Sequence, residues 1–171
     1  MARAVELTVG SGDNLVKEGQ TVLIKANLAF QAPPESFAVV DPRTVEAVVS
    51  YFKESSRARE VWIGDNPSLG RHVGRARPAF ETAGMEEAAR RGGVDRVIYF
   101  DETETVEVDI PNGKLVRRQR VFKPFLEADV VINLPKMKVH LAGTVTLGLK
   151  NWNGIVPNDN HTVANPDLSY L

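Results

Sequence analysis

Residues 133 to 154, NLPKMKVHLAGTVTLGLKNWNG, set Lys136, Lys138, His140, Lys150 and Asn151 among apolar neighbours. Ammonium and amide groups gathered in so short a stretch suit the capture of an anion. Lys brings a charge and three donors, Asn a donor and an acceptor, and His a proton-transfer group that titrates near neutrality. Two smaller clusters have the same character: Lys25-Ala26-Asn27 follows the apolar run VLI, and Asp65-Asn66 follows VWIG. Four lysines (25, 136, 138 and 150) against Asp65 would leave a positive excess that favours a carboxylate or phosphate. Asn27, Asn66 and Asn151 would add oriented amides. In this reading Lys25, Asn27, Asp65, Asn66, Lys136, Lys150 and Asn151 bind the ligand, while His140, as general acid or base, and Lys138 are the catalytic candidates; any buried lysine of depressed pKa could also serve as base or imine former, and nothing in the sequence fixes which.

Each residue also has an ordinary structural use. Lys25 suits a solvated strand end, and Lys136 and Lys138 suit alternation about Met137. Lys150 suits the last turn of a helix, Asp65-Asn66-Pro67 suits a turn, and His140 a structural contact. The functional reading therefore rests on the clusters meeting in space.

The elements that would bring them together can be read from periodicity. TVLIK (21–25), EVWIGD (60–65), RVIYFD (96–101) and DVVINL (129–134) are short apolar runs that predict buried strands. Between the first two, Asp41 as N-cap and Pro42 at the first helical position precede Val45, Val48, Val49 and Phe52, the i, i+3, i+4, i+7 face of a helix. A second helical region covers about residues 77–91 and stops at Gly92-Gly93. TVEVDIPNGKLVRRQRVF predicts an antiparallel hairpin about an Asn-Gly turn. The opening ARAVELTVG fits neither period cleanly. TVTLGLKN predicts a short helix capped by Thr144, whose first N–H groups would also favour an anion. The order strand, helix, strand, helix, strand predicts an α/β fold with a mainly parallel sheet, flanking helices and the hairpin as an antiparallel insertion. The polar clusters then lie at strand carboxyl ends, where open parallel sheets place their ligand crevice.

Composition bounds the alternatives. A chain of 171 residues suits one domain, and 43% apolar with 25% charged residues is ordinary for a globular protein. A net charge of −1 argues against a general nucleic-acid or anionic-membrane binder. RRQR at 117–120 reads as a solvated strand edge. The absence of cysteine excludes disulfides, thiolate zinc sites and cysteine-ligated iron–sulfur clusters within these residues. His72, His140 and His161 have no metal-ligand spacing, so no metal is assigned. Gly10 to Asn14, GSGDN, lacks the cradle of a phosphate loop, and no dinucleotide, Walker, serine-hydrolase or zincin motif occurs. No apolar run reaches the roughly 18 residues that span a bilayer, which makes the cytoplasm the expected compartment.

At its most informative residues the chain resembles the DUF362 domain family. VLIKANL is similar to that family's strand–KPNL motif, DPRTVEAVV to its following helix, and VINLPKMKVHLAGTVTLGLKNWNGIVP to its PKxKTH and T-x-x-KN-x-x-G signature. The likeness runs from about Val22 to Pro157. It implies an α/β domain, a loose link to redox chemistry through iron–sulfur modules that some relatives append, and a distant architectural likeness to nickel-pincer lactate racemases. Ala26 stands where the family has proline, and Val139 where it has threonine beside His140. Family domains usually run on past the KN-x-x-G segment. The chain is therefore expected to be a short or truncated member, one domain over residues 1–171, open to being incomplete at both ends. The expected function is binding of a small anion in a Lys/Asn/His cleft, with His140 as general acid or base if the domain is an enzyme. The alternatives are a non-catalytic accessory module for a redox partner protein, or an inactive fragment. The cofactor is unknown, a homo-oligomer remains open, and neither nucleic acid nor membrane is an expected partner.

Overall fold

A computed structural model describes residues 2–10, 12–67, 75–114, 116–140 and 144–157. His72 and His161, singled out above, lie outside the described residues.

Four strands, β1 (Thr21–Lys25), β2 (Glu60–Asp65), β3 (Arg96–Tyr99) and β6 (Val130–Asn133), form one parallel sheet in the order β3-β2-β1-β6. Burial on both faces explains the apolar runs of the central strands β1 and β2, whereas the edge strands β3 and β6, expected to be buried, are only partly covered. Val22, Ile24, Val61 and Ile63 pack on one face with helix α3 (Pro42–Ser55) and helices α4 (Ala76–Thr82) and α5 (Met85–Arg91). Leu23, Trp62 and Ile98, the alternate positions, form a smaller cluster on the other face with Phe100 and Phe122. Lys25 shares the parity of Leu23, so the period of two directs it towards this thinner cover.

Local chemistry explains most boundaries. The Asp41 carboxylate accepts from the backbone N–H of Arg43 at 2.9 Å, and Pro42 opens α3. The expected 77–91 helix is two helices, because Gly84 adopts φ 65° between them, a left-handed conformation that glycine takes without strain. The first segment is helical, α1 (Ala2–Val9), followed by the short α2 (Gly12–Leu15). The third strand stops at Tyr99, and residues 100–102 form a 3₁₀ turn. The hairpin forms as expected, β4 (Thr105–Asp109) against β5 (Arg118–Phe122), with Asn112 at φ 64° in the turn. A short helix, α6 (Lys123–Glu127), leads to β6.

One expectation needs correcting. Thr144 caps no helix. Thr144–Thr146 is strand β8, paired antiparallel with β7 (Lys138–His140), and the helix that follows, α7, covers only Gly148–Asn151. Two β-branched threonines about a valine fit a strand better than a first helical turn. The anion affinity assigned to that helix start is withdrawn with it.

The cap on α3 yields a first prediction. Hydrogen bonds from the Arg43 side chain and then its backbone hold Asp41 at about 2. A depressed carboxylate stabilises fully above its unfolded value of about 4 and loses that contribution as pH falls from there towards 2. Asp41→Ala is expected to cost about 1 kcal/mol at pH 7. That loss should read as a melting shift of roughly 2–4 °C, shrinking at pH 2. Equal losses at pH 7 and pH 2 would refute the capping role.

Candidate functional site

The order β3-β2-β1-β6 means the chain adds strands to one side of β1 and then crosses to the other. The reversal lies between β1 and β6, where open α/β sheets place their crevice. Lys25 and Asn133 are register partners across it, and the backbone N–H of Leu134 donates to the carbonyl of Lys25 at 2.9 Å. The segment after β6 folds back over these strand ends as β7, β8, α7 and a 3₁₀ turn at Trp152–Ile155. The polar clusters noted above therefore meet at one rim.

At the centre is a buried ion pair. Lys25 Nζ lies 2.5 Å from Asp65 Oδ1, and both residues are essentially inaccessible. Lys25 Nζ also donates to the Ala26 carbonyl at 2.8 Å and to Asn151 Oδ1 at 3.4 Å, which uses its three protons. Asp65 accepts from the backbone N–H of Asn66 at 2.8 Å and of Leu28 at 2.6 Å. Burial pushes Lys25 down and Asp65 up, and their mutual attraction opposes both shifts. Whichever atom holds the proton, the pair is neutral overall. The outward positive charge therefore comes from the lysines of the returning segment, and Lys25 adds nothing to it.

Gly154 roofs the pair. A Cβ built there would stand 2.2 Å from Asp65 Oδ1 and 2.7 Å from Lys25 Nζ, so only glycine fits. A chain of amides ties the roof to the sheet. Asn27 Nδ2 donates to Asn151 Oδ1 at 2.8 Å, Asn151 Nδ2 to Asn133 Oδ1 at 2.7 Å, and Asn133 Nδ2 to the Gly148 carbonyl at 2.9 Å. Lys138 Nζ joins this chain by donating to Asn27 Oδ1 at 3.0 Å and to the Ala38 carbonyl. The cleft beside Lys25, Asn27, Asp65, Asn66, Lys150 and Gly154 offers about 10 Å³ for a water centre, room for a single water-sized occupant.

The rim is cationic. Lys138 is half-buried and drawn down to about 8, first by burial; Asp65 opposes this, and the charges of Lys136 and Lys150 add to it. Burial also lowers Lys150. His140 is lowered by burial, then by Lys150 and Lys138, so it is neutral at pH 7. Lys136 stands 5.8 Å from the Phe37 ring centroid and its charge helps depress Asp41. In β7 the even positions, Lys138 and His140, are partly covered, while Val139 is 89% exposed. The valine in place of the family's threonine therefore lies away from both. Ala26, in place of proline, has an N–H that donates to the Gly64 carbonyl at 3.2 Å, a bond proline lacks.

Asn133 and Gly154 are central here but were not singled out as site residues. Both lie inside the signature quoted above, yet nothing in composition reveals which glycine must approach a buried pair. Among the described residues, no group of three or more His, Cys, Asp and Glu is placed to hold a metal.

The family model described as a domain of unknown function, DUF362, matches residues 22–166. A thylakoid-associated protein of Synechocystis sp. is 32% identical over 149 residues, which cover 87% of this chain and 43% of that protein. The chain thus spans less than half the length of this relative. No solved structure matches it.

Proposed function

We propose that this chain, which belongs to the DUF362 family, binds a small oxyanion, carboxylate or phosphate, on the rim formed by Lys136, Lys138, Lys150 and His140. The observation that carries the reading is the placing of the Lys138 ammonium, anchored on Asn27 and Ala38, within the field of Lys136 and Lys150. Lys138 is lowered first by burial and then by Lys136 and Lys150, and His140 first by burial and then by Lys150 and Lys138. An anion would relieve that repulsion and take the third proton of the Lys138 ammonium, whose other two go to Asn27 and Ala38. The neutral core of Lys25, Asp65, Asn27, Asn66 and Asn151 holds the rim in place.

If the site is catalytic, His140 serves as base, because its lowered pKa leaves it unprotonated at pH 7. A non-catalytic module, serving a redox partner or a second copy of the chain, would show binding without turnover. No described helix is long and apolar enough to cross a membrane. We retain the cytoplasm as the compartment, although the relative's name links that protein to thylakoids; partition between cell membranes and the aqueous fraction checks this directly.

Titration calorimetry with inorganic phosphate tests the reading. Saturable binding is expected, weakened by Lys138→Met about tenfold, the loss of one charge-assisted hydrogen bond. The cationic form of Lys138 makes the contact, so affinity should fall as pH rises through about 8. No heat of binding at pH 6, or an affinity indifferent to pH and to Lys138, would end the proposal.

A further inference from the structure

We infer that Lys138 is an imine-forming nucleophile, and that the rim accepts a small carbonyl compound bearing a carboxylate, such as a 2-oxo acid. The inference rests on the anion site proposed above and adds a bond-forming step. Three features of the geometry point to it.

The first is the anchoring of the amine. Lys138 Nζ donates to Asn27 Oδ1 and to the Ala38 carbonyl. A neutral amine has two protons, and these acceptors take both. The lone pair is then left at the remaining tetrahedral position, free of the acceptors. Asn27 is itself fixed by Asn151, so the amine is held by a rigid support.

The second is a hydroxyl at the facing position of the ladder. Thr146 is the register partner of Lys138 across the β7–β8 ladder, so both side chains share a face with neighbouring Cβ atoms. Thr146 is 3% exposed, and among the described residues its Oγ1 has no hydrogen-bond partner. A buried orphan hydroxyl calls for an occupant. The oxygen of a carbonyl under attack, or of the carbinolamine it becomes, supplies one.

The third is charge. Lys136 and Lys150 flank the amine electrostatically and would hold the carboxylate. A neighbouring cation is also one of the means by which a lysine is activated. At about 8, roughly a tenth of Lys138 is neutral at pH 7, against well under a thousandth of an ordinary lysine.

The step balances without a further reactant. The Lys138 lone pair forms a C–N bond to the carbonyl carbon as the C=O π pair moves to oxygen. A proton shifts from nitrogen to that oxygen, and loss of water leaves the imine. His140, neutral at pH 7, can carry a proton in the second stage.

The test is glyoxylate with sodium cyanoborohydride, which reduces an imine to a stable N-carboxymethyl lysine, followed by peptide mapping. Lys138 should label at least about tenfold faster than the other lysines, with a rate that saturates in glyoxylate and is suppressed by phosphate. Thr146→Val should slow it, and Lys138→Arg should abolish the labelled peptide. Phosphate competition on the unaltered protein serves if a variant fails to fold. Even labelling of all lysines, with phosphate binding intact, overturns the inference and leaves the anion site standing. Fast labelling of Lys138 that phosphate does not affect supports the amine and overturns the anion site.

Discussion

Asp65→Asn is expected to destabilise the fold by about 3–5 kcal/mol, the usual cost of removing one partner from a buried ion pair. Lys25 lies essentially inaccessible and Asp65 is its only carboxylate partner at 2.5 Å among the described residues. Without that charge the ammonium must shed its proton to stay buried. The unfolded chain keeps it until about pH 10. The unfolded state then binds more protons, so the stability of the variant should rise with pH between neutrality and about pH 10. Lys25→Met combined with Asp65→Asn should recover a large part of the loss, because a thioether stem needs no counter-charge. Urea unfolding of the wild type, both single variants and the double variant measures this. Additive losses in the double variant would mean that the two residues are not coupled as described.

The second large effect is at Gly154. Its Cβ would overlap Asp65 Oδ1 and crowd Lys25 Nζ. Neither atom can yield, since each is held by other hydrogen bonds. Gly154→Ala should therefore cost about 1–3 kcal/mol, the range for overpacking, and lift the returning segment from the sheet. Lys150 and Asn151 ride on that segment, so phosphate affinity should fall with stability. Hydrogen exchange gives the local readout. The Asn151 and Val156 N–H groups, bonded to Leu147 and Asn153 carbonyls, should lose protection before those of β1. Unchanged protection at these two amides, with wild-type stability, would show that the glycine does not seal the pair.

The sheet was readable because central parallel strands buried on both faces need unbroken apolar runs, and VLIK and VWIGD supply them, while VVIN marks the half-covered edge strand. The N-cap at Asp41 and the Asn-Gly hairpin were readable because their signals are local. The convergence of Lys25, Asp65 and the 136–151 segment followed from the topology of parallel sheets. Which lysine would be buried did not. Lys25 and Lys138 look alike in sequence, yet one is neutralised in the core and the other is half-exposed. The difference lies in Asp65, forty residues from Lys25, and in Gly154, which closes the roof. The β8 strand was misread because TVTLGLKN carries β-branched residues and a helix start in one breath. Its pairing with β7 is a tertiary fact.

The central claim is that Lys138 sits in an electropositive rim built to receive an anion. Titration of ¹³Cε-labelled lysine by NMR tests it most directly. The account predicts one lysine, absent from spectra of Lys138→Arg, titrating near pH 8 and moving upward when phosphate is added. A Lys138 that titrates near the ordinary value of about 10.4, unmoved by phosphate, would contradict it.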